Sequence, residues 1–264
     1  MQLKTEKMLA EVEDGIGWMT FNQPERRNAL SLEMWEAIAE IIDAFSQDDG
    51  VRVVVMKGAG DKAFVSGADI SQFGEKRSGK EQVEHYSDTV GRCRRRLADL
   101  EKPLIAMIRG YCLGGGLTVA LNADIRIASE DSHFGVPAAR LGIAYGFEAM
   151  NQLVALVGPS HAKEMLFSAR RLPAEEALRI GLVNRVVPAG QLEATVREIA
   201  GTIAGNAPLS IRAAKLTIGA VLKDPSGRDM AALDRLTKTC FESQDYVEGR
   251  TAFMEKRKPN FTGR

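Results

Sequence analysis

Residues 110–124, GYCLGGGLTVALNAD, hold three consecutive glycines, Gly114 to Gly116, between an apolar run at 103–108 and a second apolar segment. Glycine costs about 1 kcal/mol relative to alanine inside a helix or strand, so a run of them needs a reason. A strand that ends in glycine and feeds a helix leaves backbone N–H groups unpaired at the positive end of the helix dipole. Such amides can cradle a phosphate or stabilise the negative oxygen that develops on a reacting carbonyl. The missing side chains can also simply let helix and strand pack closely. No Gly-Lys-Ser/Thr follows the run and the spacing Gly-x-Gly-x-x-Gly is absent, which disfavours the phosphate cradle. A second loop, KAFVSGADI at 62–70, also follows a buried-strand pattern and offers small residues with unobstructed N–H groups. One amide from each loop can pinch a single carbonyl oxygen.

The elements that must hold these loops read as follows. Alternating apolar positions at 8–12 and 16–21 predict a hairpin turning at Asp14-Gly15. Ser31 is placed to cap a helix whose apolar residues Leu32, Trp35, Ile38, Ile42 and Phe45 recur at helical spacing. The β-branched run 51–56 predicts a buried strand. A polar helix is expected over 80–101, a strand over 103–109, a short helix to Asn122 and a strand over 124–128. Strands alternating with helices to about residue 130 indicate an α/β fold with largely parallel pairing. Beyond Phe147 the pattern is mostly helical, with a fresh helix start expected at Gly158-Pro159 and one more strand in GLVNRVV.

The bulk properties bound the function. A chain of 264 residues with 45% hydrophobic composition supports one substantial core. Lys+Arg and Asp+Glu are equal at 35 each, so no global field favours nucleic acid as a partner. The local basic run Arg92-Cys-Arg-Arg-Arg96 reads as a solvated surface or a subunit contact. Three dispersed cysteines and three dispersed histidines predict neither a disulfide framework nor a metal site, and fit a reducing compartment. The charged N-terminus and the lack of any long apolar run point to a soluble, cytoplasmic protein without a membrane span.

AFVSGADI, GYCLGGG, NADIRIASEDSHFGVPAARLGI, GLVNRVVP and EGRTAFMEKRKPNF occur in this order. The ordered set resembles the crotonase (enoyl-CoA hydratase/isomerase) superfamily over about residues 12–261. The resemblance implies an α/β fold: a crotonase-like ββα spiral core over 1–205, then a helical C-terminal trimerisation region over 206–264. It also implies a homotrimer or a dimer of trimers, and an acyl-CoA thioester substrate. Coenzyme A enters as part of that substrate, with no separate cofactor. By position, the carbonyl-binding N–H donors carry over to Ala68 and Gly115. Ser66, Gly67, Asp69 and Ile70 would line the path of the CoA moiety, and Arg27 and Ala29 would meet its nucleotide end. Lys256 would supply a cation for CoA phosphate, here or at a neighbouring subunit's site. Pro137 and Leu141 are further substrate-binding candidates.

The chain also departs from the pattern. Hydratases of the family add water with two glutamates, and here those positions hold Thr118 and Ala138. Neither can serve as the acid or base, groups typically worth 10²–10⁴-fold each. Tyr145 and Glu148, in LGIAYGFEAMNQL, are the candidate replacements. Tyr145 can donate a proton. Glu148 can act as a base if it faces the pocket, or else complements a helix dipole. The Tyr145 segment resembles the methylmalonyl-CoA decarboxylase branch, although that branch has histidine where this chain has Ala68. Three functions therefore stay open: a hydratase-like lyase, a decarboxylase, and a catalytically silent acyl-CoA-binding protein.

Overall fold

In a computed structural model, which describes residues 1, 3–69 and 80–264, ten strands form two sheets among the described residues. The hairpin expected at the N-terminus is present: β1 (Met8–Glu13) pairs antiparallel with β2 (Ile16–Phe21). Ser31 caps α1 (Leu32–Gln47), accepting from the Met34 N–H. The chain then runs through β3 (Val53–Gly58), β4 (Ala63–Val65), α2 (Lys80–Ala98), β5 (Leu104–Ile108), β6 (Tyr111–Leu113) and α3 (Gly115–Ala120). It continues through β7 (Ile125–Ser129), β8 (His133–Gly135), α4 (Ala138–Leu141) and α5 (Phe147–Ser168). The remaining elements are β9 (Leu172–Pro173), α6 (Ala174–Arg179), β10 (Arg185–Val187), α7 (Leu192–Ala204), α8 (Pro208–Val221), α9 (Met230–Glu242) and α10 (Gln244–Met254).

The larger sheet has the order β1-β2-β3-β5-β7-β10, and the smaller has β4-β6-β8-β9. Each circuit of the chain lays one strand in each sheet: β3 then β4, β5 then β6, β7 then β8. This is the ββα repeat that the family resemblance implies. The unbroken apolar run of β3 follows from burial on both faces. Val54 and Met56 enter the main core with α1, whereas Val53 and Val55 face Ile105, Ile127 and the Leu192, Val196 and Ala200 side chains of α7.

This topology makes the site. β4, β6 and β8 are adjacent and parallel, so their C-terminal ends lie side by side and the loops that follow must meet. Those loops are 66–69, 114–115 and 136–137. The fresh helix start expected at Gly158-Pro159 is present: Gly158 takes φ 73° and ψ 165°, and α5 is two helices joined across that break. Among the described residues no helix is long and apolar enough to cross a membrane.

Candidate active site

The loop after β4 is held from below by the 22–31 segment. Asn28, fully buried, accepts from the Gln23 N–H and donates to the Ala59 and Ala63 carbonyls. That fixes Leu30, whose N–H donates to the Gly67 carbonyl at 2.8 Å and whose carbonyl accepts from the Asp69 N–H at 2.9 Å. Successive N–H groups of extended chain point to opposite sides. With Asp69 bonded toward Leu30, the Ala68 N–H faces away, and it has no acceptor among the described residues.

The glycines of the second loop have separate duties. Gly114 takes φ 52° and ψ −118°, a conformation that side chains resist, and its N–H donates to the Gly135 carbonyl. Gly115 opens α3, so its N–H has no partner within the helix. A side-chain carbon placed at Gly115 would lie 3.6 Å from the Ala68 nitrogen and 3.8 Å from the Gly67 carbonyl carbon, so the two loops face each other at contact distance. At Gly116 the same carbon would be 2.2 Å from the Val65 carbonyl oxygen. Close helix–strand packing is therefore the task of Gly116 alone. Two unpaired amides, at Ala68 and Gly115, border one space, and such a pair can accept a carbonyl oxygen as it gains charge.

Tyr145 stands over this space. Its hydroxyl is 3.4 Å from the point where a side chain at Gly114 would begin, and Pro137 Cδ is 3.9 Å from the same point. Burial raises the Tyr145 pKa above its ordinary value, and Arg94 partly opposes the rise. The phenol is therefore protonated at neutral pH and can donate. Thr118 is buried, and its hydroxyl donates to the Gly115 carbonyl at 2.8 Å. Ala138 is buried at the start of α4.

Arg94 is the residue that the sequence reading missed. The run at 92–96 was expected to be a solvated face or subunit contact. Arg92, Arg95 and Arg96 are indeed exposed, and Arg96 pairs with Asp43 at 3.1 Å. Arg94 instead turns inward, its Nη2 donating to Thr118 Oγ1 at 3.3 Å and its Nε buried without an acceptor. A signal existed: Tyr86, Val90 and Arg94 recur every four residues beside the buried Thr89, Cys93 and Leu97.

Gly67, Ala68, Gly115, Pro137 and Tyr145 thus come together. Arg27, Ala29 and Ser66 form the flank, with the Ser66 N–H donating to the Arg27 carbonyl and the Arg27 guanidinium 5.4 Å from the Tyr111 ring centre. Arg171 stacks on the same ring at 5.3 Å. Asp69 is buried, and its carboxylate accepts from Arg26 Nη1 at 3.1 Å. Glu148 is exposed, on the wall of a 260 Å³ cavity that Arg94 and Thr118 also line. Leu141 is 54% exposed. Lys256 is exposed beyond α10, with no described contact to either amide loop. Ile70 lies outside the described residues.

An enoyl-CoA hydratase/isomerase family model matches residues 11–264. The chain is 37% identical to a short-chain-enoyl-CoA hydratase of Clostridium acetobutylicum, covering 97% of each chain. It is 38% identical to a crotonyl-CoA hydratase of Syntrophomonas wolfei, covering 97% of this chain and 98% of that one. Among solved structures, an enoyl-CoA hydratase/carnithine racemase from Magnetospirillum magneticum superposes with a TM-score of 0.93 at 37% identity, over 99% of this chain and 97% of that one. The chain belongs to the enoyl-CoA hydratase/isomerase family, and it is an enzyme of the type that acts on acyl-CoA thioesters.

Proposed function

We propose that the chain binds an acyl-CoA thioester with its carbonyl oxygen between the Ala68 and Gly115 amides, and stabilises the enolate formed when charge moves onto that oxygen. The observation that carries this reading is the pair of facing, unpaired N–H groups at the ends of β4 and β6. Losing one such donor typically costs about 3–4 kcal/mol of transition-state stabilisation. Tyr145, protonated and beside Gly114, is the proton-transferring group. Arg27, Ala29, Ser66 and Gly67 line the approach of the CoA moiety, and Lys256 serves CoA phosphate, in this chain or in a neighbouring one. The exposed Phe241, Val247, Phe253 and Met254 on α9 and α10 support a homotrimer or a dimer of trimers.

Hydration of a short enoyl-CoA is the reaction named for the relatives. A second reading, decarboxylation, is favoured by one feature. Thr118 and Ala138 place no carboxylate at either hydratase position, and the Thr118 hydroxyl proton is already committed to the Gly115 carbonyl. Decarboxylation needs no base. The bond from Cα to the carboxylate breaks, carbon dioxide leaves, and the electron pair becomes the enolate held by the two amides. Tyr145 then gives its proton to Cα and recovers one from solvent.

Two assays decide. Crotonyl-CoA is followed by loss of its conjugated thioester absorbance, and methylmalonyl-CoA by formation of propionyl-CoA. Turnover of the first supports hydration and turnover of the second supports decarboxylation. If neither rate exceeds the uncatalysed one, both reactions fall, and tight binding of CoA thioesters with no product from a broad panel would support a silent acyl-CoA binder.

A further inference from the structure

In the hydratase pattern two carboxylates face the acyl group. In this chain both are gone, and a guanidinium sits one hydrogen bond beyond one of the vacated positions: Arg94 Nη2 is 3.3 Å from Thr118 Oγ1. Next to that position stands a cation. Among the described residues no carboxylate pairs with Arg94, and its Nε is buried with no acceptor. A guanidinium presents five donors in a planar fork suited to a carboxylate, and Thr118 is the one described acceptor it meets. A buried donor left without an acceptor is costly, and a bound carboxylate would remove that cost. Arg94 also lines the 260 Å³ cavity together with Thr118, Asn122 and Gln152. Asp99 and Glu148 line it too, but neither reaches ion-pair distance of Arg94. Gln152 Nε2 donates to Asn122 Oδ1 at 3.0 Å, and neither side chain has a described bond to the guanidinium.

We infer that this chain selects acyl-CoA thioesters whose acyl chain carries a second carboxylate, which Arg94 holds while Thr118 and Tyr145 border the reacting carbons. The inference rests on the amide-pair reading above and names the substrate class of that site. It favours short diacid chains, because Thr118 is bonded directly to the Gly115 carbonyl and so stands close to the thioester end of the acyl group.

The test is calorimetric titration of the full chain with matched pairs: succinyl-CoA against butyryl-CoA, and malonyl-CoA against propionyl-CoA. Charge-assisted hydrogen bonds predict about tenfold or more tighter binding of the diacid member of each pair. In Arg94→Met the ratio of the two dissociation constants is expected to fall to near one, and Arg94→Lys should recover part of it. Equal binding within each wild-type pair overturns the inference and leaves the amide-pair reading standing. Failure of all four thioesters to bind overturns both. The wild-type comparison needs no variant, so it decides even if Arg94→Met does not fold.

Discussion

Gly115 and Gly116 are neighbours in sequence, and their alanine variants should fail in opposite ways. At Gly115 the added carbon lies 3.6 Å from the Ala68 nitrogen and 3.8 Å from its next neighbours, which is ordinary contact. The fold has room for it, and replacing glycine in a helical conformation stabilises by about 0.4–1 kcal/mol through the unfolded chain. The methyl group nevertheless occupies the space between the amides. An oxygen accepting from both would lie about 2.9 Å from each nitrogen, whereas a methyl carbon keeps other heavy atoms at roughly 3.5 Å or more. The oxygen must give up one donor, so kcat should fall about 10²–10³-fold, or ~3–4 kcal/mol. At Gly116 the added carbon lies 2.2 Å from the Val65 carbonyl oxygen and 2.7 Å from Val65 Cβ. Strand and helix must part, and overpacking of this kind costs about 1–3 kcal/mol or more. Thermal unfolding by circular dichroism and turnover of whichever thioester the wild type accepts measure the pair. Gly115→Ala should melt with or above the wild type and be nearly inactive, and Gly116→Ala should melt well below it. Full activity in Gly115→Ala would refute the placement of the carbonyl oxygen between these amides.

Tyr145→Phe keeps the ring and removes the proton, so kcat should drop about 10²-fold or more with little change in melting temperature; an unchanged rate removes the tyrosine from the chemistry. The raised Tyr145 pKa sets a pH dependence as well: the active, protonated form is complete through neutral pH and is lost only as pH rises through a value above 10, so a fall in kcat below pH 9 would implicate another group. Asn28→Ala strips acceptors and donors from Gln23, Ala59 and Ala63 and puts alanine at φ 55°; chemical denaturation should register a loss of about 2 kcal/mol or more, and no loss would mean that Leu30 and Ala68 are held by other means. Thr118→Glu, which restores one hydratase carboxylate, should not raise crotonyl-CoA hydration, because Arg94 stands 3.3 Å from that position and would pair with the new group; a tenfold gain would refute that pairing.

Much of the scaffold was legible because periodicity and capping are local. The two-faced burial of β3 follows from its β-branched run, the Ser31 cap from residue type, and the amide loops from small residues after strands. Directions of long side chains were not legible, because they depend on what stands opposite. Arg94 could be placed on the inner flank of α2 by its four-residue spacing from Tyr86 and Val90, but nothing within 80–98 tells that the Thr118 hydroxyl, 24 residues on, is its acceptor. Asp69 met Arg26, 43 residues earlier, for the same reason. At Gly158-Pro159 the local signal was real, since the backbone does break there, but packing of Val157 and Ala162 into the main core keeps the two halves of α5 together.

Threonine at 118 and the inward turn of Arg94 fit together. A glutamate at position 118 would meet the Arg94 guanidinium at hydrogen-bond distance, and an adjacent cation holds a carboxylate ionised and occupied. Such a group would be a weaker base and would seldom hold the proton that a general acid must give. An arginine at 94 therefore works against a glutamate at 118, whereas an arginine at 94 with threonine at 118 leaves guanidinium donors to spare. The same geometry that argues against water addition by paired carboxylates argues for a substrate that brings its own.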